Sequence, residues 1–128
     1  MTGYKPGVCN IGKNEIRKRY AMAAIGFLIS AAIVCAVVAY RLPLWTLLLL
    51  FLPLLFAFEG FYQGYLRFCA GFAAAGVYDF AGSGGSRGKV SDKEAHMRDM
   101  RKAIMIHAYA IFSSIALTII IYLAVLVL

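Results

Sequence analysis

The chain has 128 residues, of which 62% are hydrophobic and 15% charged, with a mean hydropathy of +0.78. Soluble domains carry roughly 45–50% apolar and ~25% charged residues, so a water-soluble fold of this size, which has too little interior to hide that apolar surface, is excluded. The net charge of +7 does not point to nucleic acid, because the basic residues flank apolar runs and no stacking aromatics are interleaved with them.

Residues 1–13 read as a short irregular polar lead, with Pro6 and several glycines. Asn14 is the expected N-cap of the first helix, with Glu15 placed where a negative charge suits the helix dipole. Glu15 and Arg19 stand at i and i+4 and can pair. From Tyr20 to Tyr40 no charge interrupts the chain, and about 31 Å of helix matches one hydrocarbon thickness. The run is too long for the apolar part of a signal peptide, so it reads as an anchor that stays.

Arg41-Leu42-Pro43 breaks that run into a tight hairpin, and Pro43 opens the second span, where its missing N–H costs nothing. Pro53 is expected to kink that span rather than end it, since the apolar pattern resumes at once. Past Arg67 the small residues of Cys69 to Gly76 and then Val77 to Phe80 read as a helical extension. Residues 81–90, rich in glycine and serine, read as a flexible linker. Ser91-Asp92-Lys93-Glu94 matches a capping box for a last helix, with Glu94 and Arg98 paired at i,i+4. The predicted fold is therefore all-α, with three transmembrane helices at about 20–40, 43–66 and 103–128, joined by a loop at about 69–102.

Loop charge sets the orientation. Lys5, Lys13, Arg17, Lys18 and Arg19 precede the first span, and seven basic residues from Arg67 to Lys102 lie in the loop before the third. Only Arg41 lies in the opposite loop, so the N-terminus and the long loop are expected in the cytoplasm and the C-terminus outside. Tyr20, Tyr62 and Tyr65 then fall near the inner interface, and Tyr40, Trp45 and Tyr122 near the outer one.

An ionisable group inside a span is costly and functional by default, which singles out Glu59. Gln63 and Arg67 follow at i+4 and i+8, about 40° and 80° around the helix, and would extend one polar stripe. The stripe serves either a proton or cation path or a plain hydrogen bond between helices. His107, about one turn inside the third span, lies at a similar depth. The two side chains sit on the order of 7–12 Å inside the boundary, and a mutual hydrogen bond avoids two separate desolvation penalties. Gly60 and Gly64 form a small-x-x-x-small pair that permits close approach of another helix, with Gly26 on the first span as a partner.

Cys9 and Cys69 fall near the inner surface and Cys35 inside the first span. Three cysteines without a C-x-x-C pair suggest neither a disulfide framework nor a zinc site, and inert packing is their plainest role. Catalytic motifs such as H-E-x-x-H, G-x-S-x-G and the P-loop are missing. No cofactor or metal is expected.

The favoured reading is a non-enzymatic polytopic membrane protein, a structural or accessory subunit packing against other helices. A homo-oligomeric transporter or channel using Glu59 is the alternative, and a membrane thiol, redox or metal protein using Cys9 and Cys69 is a third. The expected partners are anionic headgroups on the inner side of the bilayer and other membrane subunits or further copies of the chain.

Overall fold

The computed structural model describes residues 3–128. Three helical stretches, Lys13–Tyr40, Leu44–Tyr65 and Lys93–Leu126, are long and apolar enough to cross a membrane. They are α1 (Lys13–Tyr40), a 3₁₀ helix (Leu44–Leu50) running into α2 (Phe51–Tyr65), and α4 (Lys93–Leu126). Between α2 and α4 lie a short helix, α3 (Ala70–Ala75), and two strands, β1 (Val77–Asp79) and β2 (Arg87–Lys89).

Small residues let the helices meet. A Cβ on Gly26 would stand 2.7 Å from the Ala57 Cβ, and one on Gly60 would stand 2.6 Å from the Arg19 carbonyl oxygen. Both distances are too short for any side chain, so α1 and α2 touch backbone to backbone. Helix α4 presents an inward seam of Ala103, Ile106, Ala110, Ser114 and Thr118. Its two hydroxyls bond back to carbonyls one turn earlier, Ser114 to Ala110 at 2.6 Å and Thr118 to Ser114 at 2.7 Å, so neither needs a partner across the bundle. At the hairpin end of the spans, Val37, Leu47, Leu50 and Leu54 form an apolar core. Fewer than a third of the residues in each span's most apolar stretch are buried. Much of the remaining apolar surface faces outward.

The second span departs from the expected continuous α-helix. Pro53 lies in the first turn of α2, where an N–H is not needed, rather than kinking the middle of a long helix. Upstream of it the chain winds more tightly as a 3₁₀ helix, and Pro43 is the N-cap of that segment instead of its first residue. Two other caps also differ. Gly12, not Asn14, precedes α1, and the Asn14 N–H donates to Ser83 Oγ of a distant loop at 3.0 Å. Asp92, not Ser91, caps α4 and accepts from the Glu94 N–H at 3.3 Å. The pairs Glu15–Arg19 (3.4 Å) and Glu94–Arg98 (3.2 Å) form at their expected i,i+4 spacing.

The largest correction concerns the region between the spans. Residues 77–80 do not prolong a helix, and residues 87–89 do not belong to a linker. They pair as antiparallel strands with Val77 opposite Lys89, Tyr78 opposite Gly88 and Asp79 opposite Arg87. Gly76, at φ +71, ends α3 in the left-handed conformation that lets the chain turn into β1. Gly88 leaves room for the Tyr78 ring, whose hydroxyl would lie 2.6 Å from a Cβ there. The fold is thus mostly helical with a small sheet, not all-α.

Candidate functional site

Two polar constellations stand out, one within the spans and one at the end that carries the sheet. In the first, α2 and α4 bring Glu59 and His107 together. Glu59 Oε1 lies 2.5 Å from His107 Nδ1, and its Oε2 accepts from Gln63 Nε2 at 2.9 Å. Both carboxylate oxygens are therefore satisfied, one by its own helix and one across the interface. The two sides differ in exposure: the Glu59 side chain is 15% exposed, while that of His107 is 52% exposed on the outer surface of the bundle. Among the described residues the other ring nitrogen, Nε2, has no hydrogen-bond partner. One turn further along, the Tyr62 hydroxyl and Ser113 Oγ lie 2.6 Å apart and join the same two helices again.

Arg67 does not belong to this stripe. Helix α2 ends at Tyr65, and Arg67 follows in the left-handed region at φ 56, so helical spacing no longer governs where it points. It pairs with no carboxylate among the described residues, and its carbonyl accepts from the Asn10 N–H at 3.2 Å. Gly60, Gly64 and Gly26 all lie at the α1–α2 contact, Gly64 against the Tyr20 ring, so this close approach is made within the chain.

Cys9 and Cys69 are separately occupied. Cys9 Sγ meets the Gly3 carbonyl at 3.1 Å, and Arg19 Nη2 donates to Cys69 Sγ at 3.0 Å. All three cysteines are free thiols, and Cys35 is exposed on the outer face of α1 instead of buried. Among the described residues no group of three His, Cys, Asp or Glu side chains stands together as a metal site would require.

The second constellation is one that sequence reasoning missed. Residues 3–12 are not an irregular lead but a segment laid across the start of α4 and the sheet. Asp99, fully buried, accepts from the Tyr4 hydroxyl at 2.6 Å and from the Gly7 N–H at 2.8 Å. Burial, followed by the hydrogen bond to Asp99 and the charge on that carboxylate, pushes the Tyr4 hydroxyl well above the usual tyrosine range. The Tyr4 ring stacks on Tyr78 at 4.9 Å between centroids. Asn10 completes the clasp, with Nδ2 donating to the Cys69 carbonyl at 3.0 Å and Oδ1 accepting from the Cys69 N–H at 2.7 Å. The backbone follows, as Asp79 N–H donates to Asn10 O and Gly12 N–H donates to Asp79 O. One signal was available: Asp99 lies at the inward spacing of Ala95 and Ala103, inside an otherwise basic stretch.

No family model matches the sequence, and neither a curated protein nor a solved structure matches the chain.

Proposed function

We propose that the protein is a non-enzymatic subunit of a membrane assembly, with its N-terminal segment and two-stranded sheet in the cytoplasm, and that its α2–α4 face packs against another membrane chain. The observation that carries this reading is the half-exposed His107, hydrogen-bonded to Glu59 through one nitrogen and open at the other. His107 lies five positions beyond Lys102, a rise of about 7.5 Å. At that depth an open polar nitrogen facing hydrocarbon is penalised, and a polar group on a neighbouring helix relieves the penalty. Glu59 holds the ring in one orientation, as a recognition group needs. The α1–α2 contact, by contrast, is already closed by Gly26 and Gly60 and offers no such surface.

The orientation rests on the basic residues gathered around the sheet end against the single Arg41 in the opposite loop. A cysteine introduced at Arg41 should react with an impermeant reagent on intact cells, and one at Ser86 should not. The reverse pattern would overturn the orientation.

A homo-oligomeric transporter or channel is the second reading, and the titratable Glu59–His107 pair within the spans favours it. The thiol reading has less support, since Cys9 and Cys69 contact different groups. Mass measurement after mild detergent extraction separates the first two. A hetero-complex lost on His107→Ala supports the subunit reading. A homo-oligomer supports the pore, and a monomer surviving every mild extraction contradicts both.

A further inference from the structure

We propose that the cleft between the N-terminal segment, the start of α1 and the end of α2 binds the phosphate headgroup of an anionic phospholipid. The cleft has a volume of about 790 Å³, within the range of small-ligand sites. Three cations line it, Lys5, Lys13 and Arg67, and no carboxylate does. The ion pairs among the described residues use Lys18, Arg19, Arg87, Arg98 and His107, which leaves these three without an acidic partner. Three like charges converging on one concave surface repel each other unless an anion is shared between them.

The rest of the lining says which anion. Ile16, Tyr20 and Tyr65 form an apolar and aromatic wall beside the cations. Tyr20 opens the charge-free stretch of α1 and Tyr65 is the last residue of α2, so the wall lies where the spans meet water. Tyrosines favour that depth because the ring faces acyl chains and the hydroxyl faces headgroups. A soluble phosphate would use the cations and leave the wall bare, whereas a phospholipid uses both. Arg67 adds a conformational argument. Its φ of 56 lies in the left-handed region, where glycine fits with less strain than arginine. The site therefore holds its third cation at a position that costs the backbone something, and the inference stands whether or not α4 meets another chain.

The test uses the full chain in mild detergent, titrated with phosphatidylglycerol or phosphatidylcholine and read by native mass spectrometry. One phosphatidylglycerol should be retained per chain and phosphatidylcholine should not. Lys5→Ala, Lys13→Ala and Arg67→Gly should each weaken retention about fivefold, the effect of one cation at a membrane surface. Arg67→Gly removes the charge while suiting the left-handed backbone, so its melting temperature should not fall. Arg101→Ala, a basic position at the same end but outside the cleft, should leave retention unchanged. The proposal is overturned if Arg101→Ala weakens binding as much as Arg67→Gly, which would mean diffuse attraction. It is equally overturned if phosphatidylcholine binds as well, or if inorganic phosphate competes at the same concentration as the lipid.

Discussion

Where α1 crosses α2, Gly26 meets Ala57 and Gly60 meets Ala23 and the Arg19 carbonyl, with backbone against backbone. Where the N-terminal segment crosses α4, Tyr4 and the Gly7 N–H bond to Asp99, and where it passes the start of α3, Asn10 bonds to the Cys69 backbone. With the spans placed in a bilayer, as proposed above, the difference follows from the solvent around each. Lipid tails are as apolar as leucine, so burying apolar surface does not drive spans together, and close approach of small residues does. The segment outside the spans has few large apolar groups to bury, so its position is fixed by directional bonds to a buried carboxylate and to the ends of α3 and β1. One region is specified by what is missing from its side chains and the other by what is present.

Removing the acceptor at the centre of the clasp should have the largest effect. Asp99→Ala loses two bonds to a buried charge, at about 1.5–3 kcal/mol each, so the expected cost is about 3–6 kcal/mol. Amide exchange at residues 3–12 should rise sharply while exchange in α1 and α2 barely changes. If the segment stayed protected, its position would owe little to the clasp.

Gly60→Leu attacks the other region. The new side chain has no space beside the Arg19 carbonyl, and overpacking of this kind costs about 1–3 kcal/mol. Thermal melting in detergent should shift down without loss of protection at residues 3–12. A variant that melts like the parent would mean that α1 and α2 do not lie as close as Gly60 requires.

Tyr4 makes the clasp sensitive to pH. Because its folded pKa is raised above the unfolded value of about 10, the tether is fully present below pH 10 and weakens as pH climbs beyond it. The parent should lose protection at residues 3–12 on alkaline titration above that point, and Tyr4→Phe should show a shallower dependence. Equal slopes would remove Tyr4 from the clasp. The smallest effect is expected at Ser113→Ala, which deletes a single bond to the Tyr62 hydroxyl between α2 and α4. Interhelical bonds of this kind average ~0.6 kcal/mol, so the melting temperature should change little, and a loss above ~2 kcal/mol would show that α2 and α4 depend on polar contacts far more than α1 and α2 do.

What the sequence revealed follows the same division. Length and apolarity alone place spans at about 20–40, 43–66 and 103–128, because a 30 Å apolar layer leaves few other patterns available, and the structure has helical stretches there at Lys13–Tyr40, Leu44–Tyr65 and Lys93–Leu126. The spacing of Gly60 and Gly64 and the shared depth of Glu59 and His107 were also readable, since both follow from helical geometry. The clasp was not readable, because it joins Tyr4 to Asp99 and Asn10 to Cys69 across sequence distances that no local rule covers. The strands were lost for a related reason. Three-residue strands between glycines carry no periodicity, and Arg87-Gly88-Lys89 has the composition of a linker until Tyr78 is placed opposite it. Arg67 was misplaced by one assumption, that α2 continued past Tyr65.

The outer face around His107 is proposed as a contact between chains. A photo-activated crosslinking residue at Ala108, exposed beside His107, tests it in native membranes, with the same residue at Leu28, 70% exposed on α1, as the comparison. A discrete polypeptide adduct should form from position 108 and fall away on His107→Ala, and none should form from position 28. Crosslinking at 108 to lipid alone, or equal adducts from both positions, would contradict it.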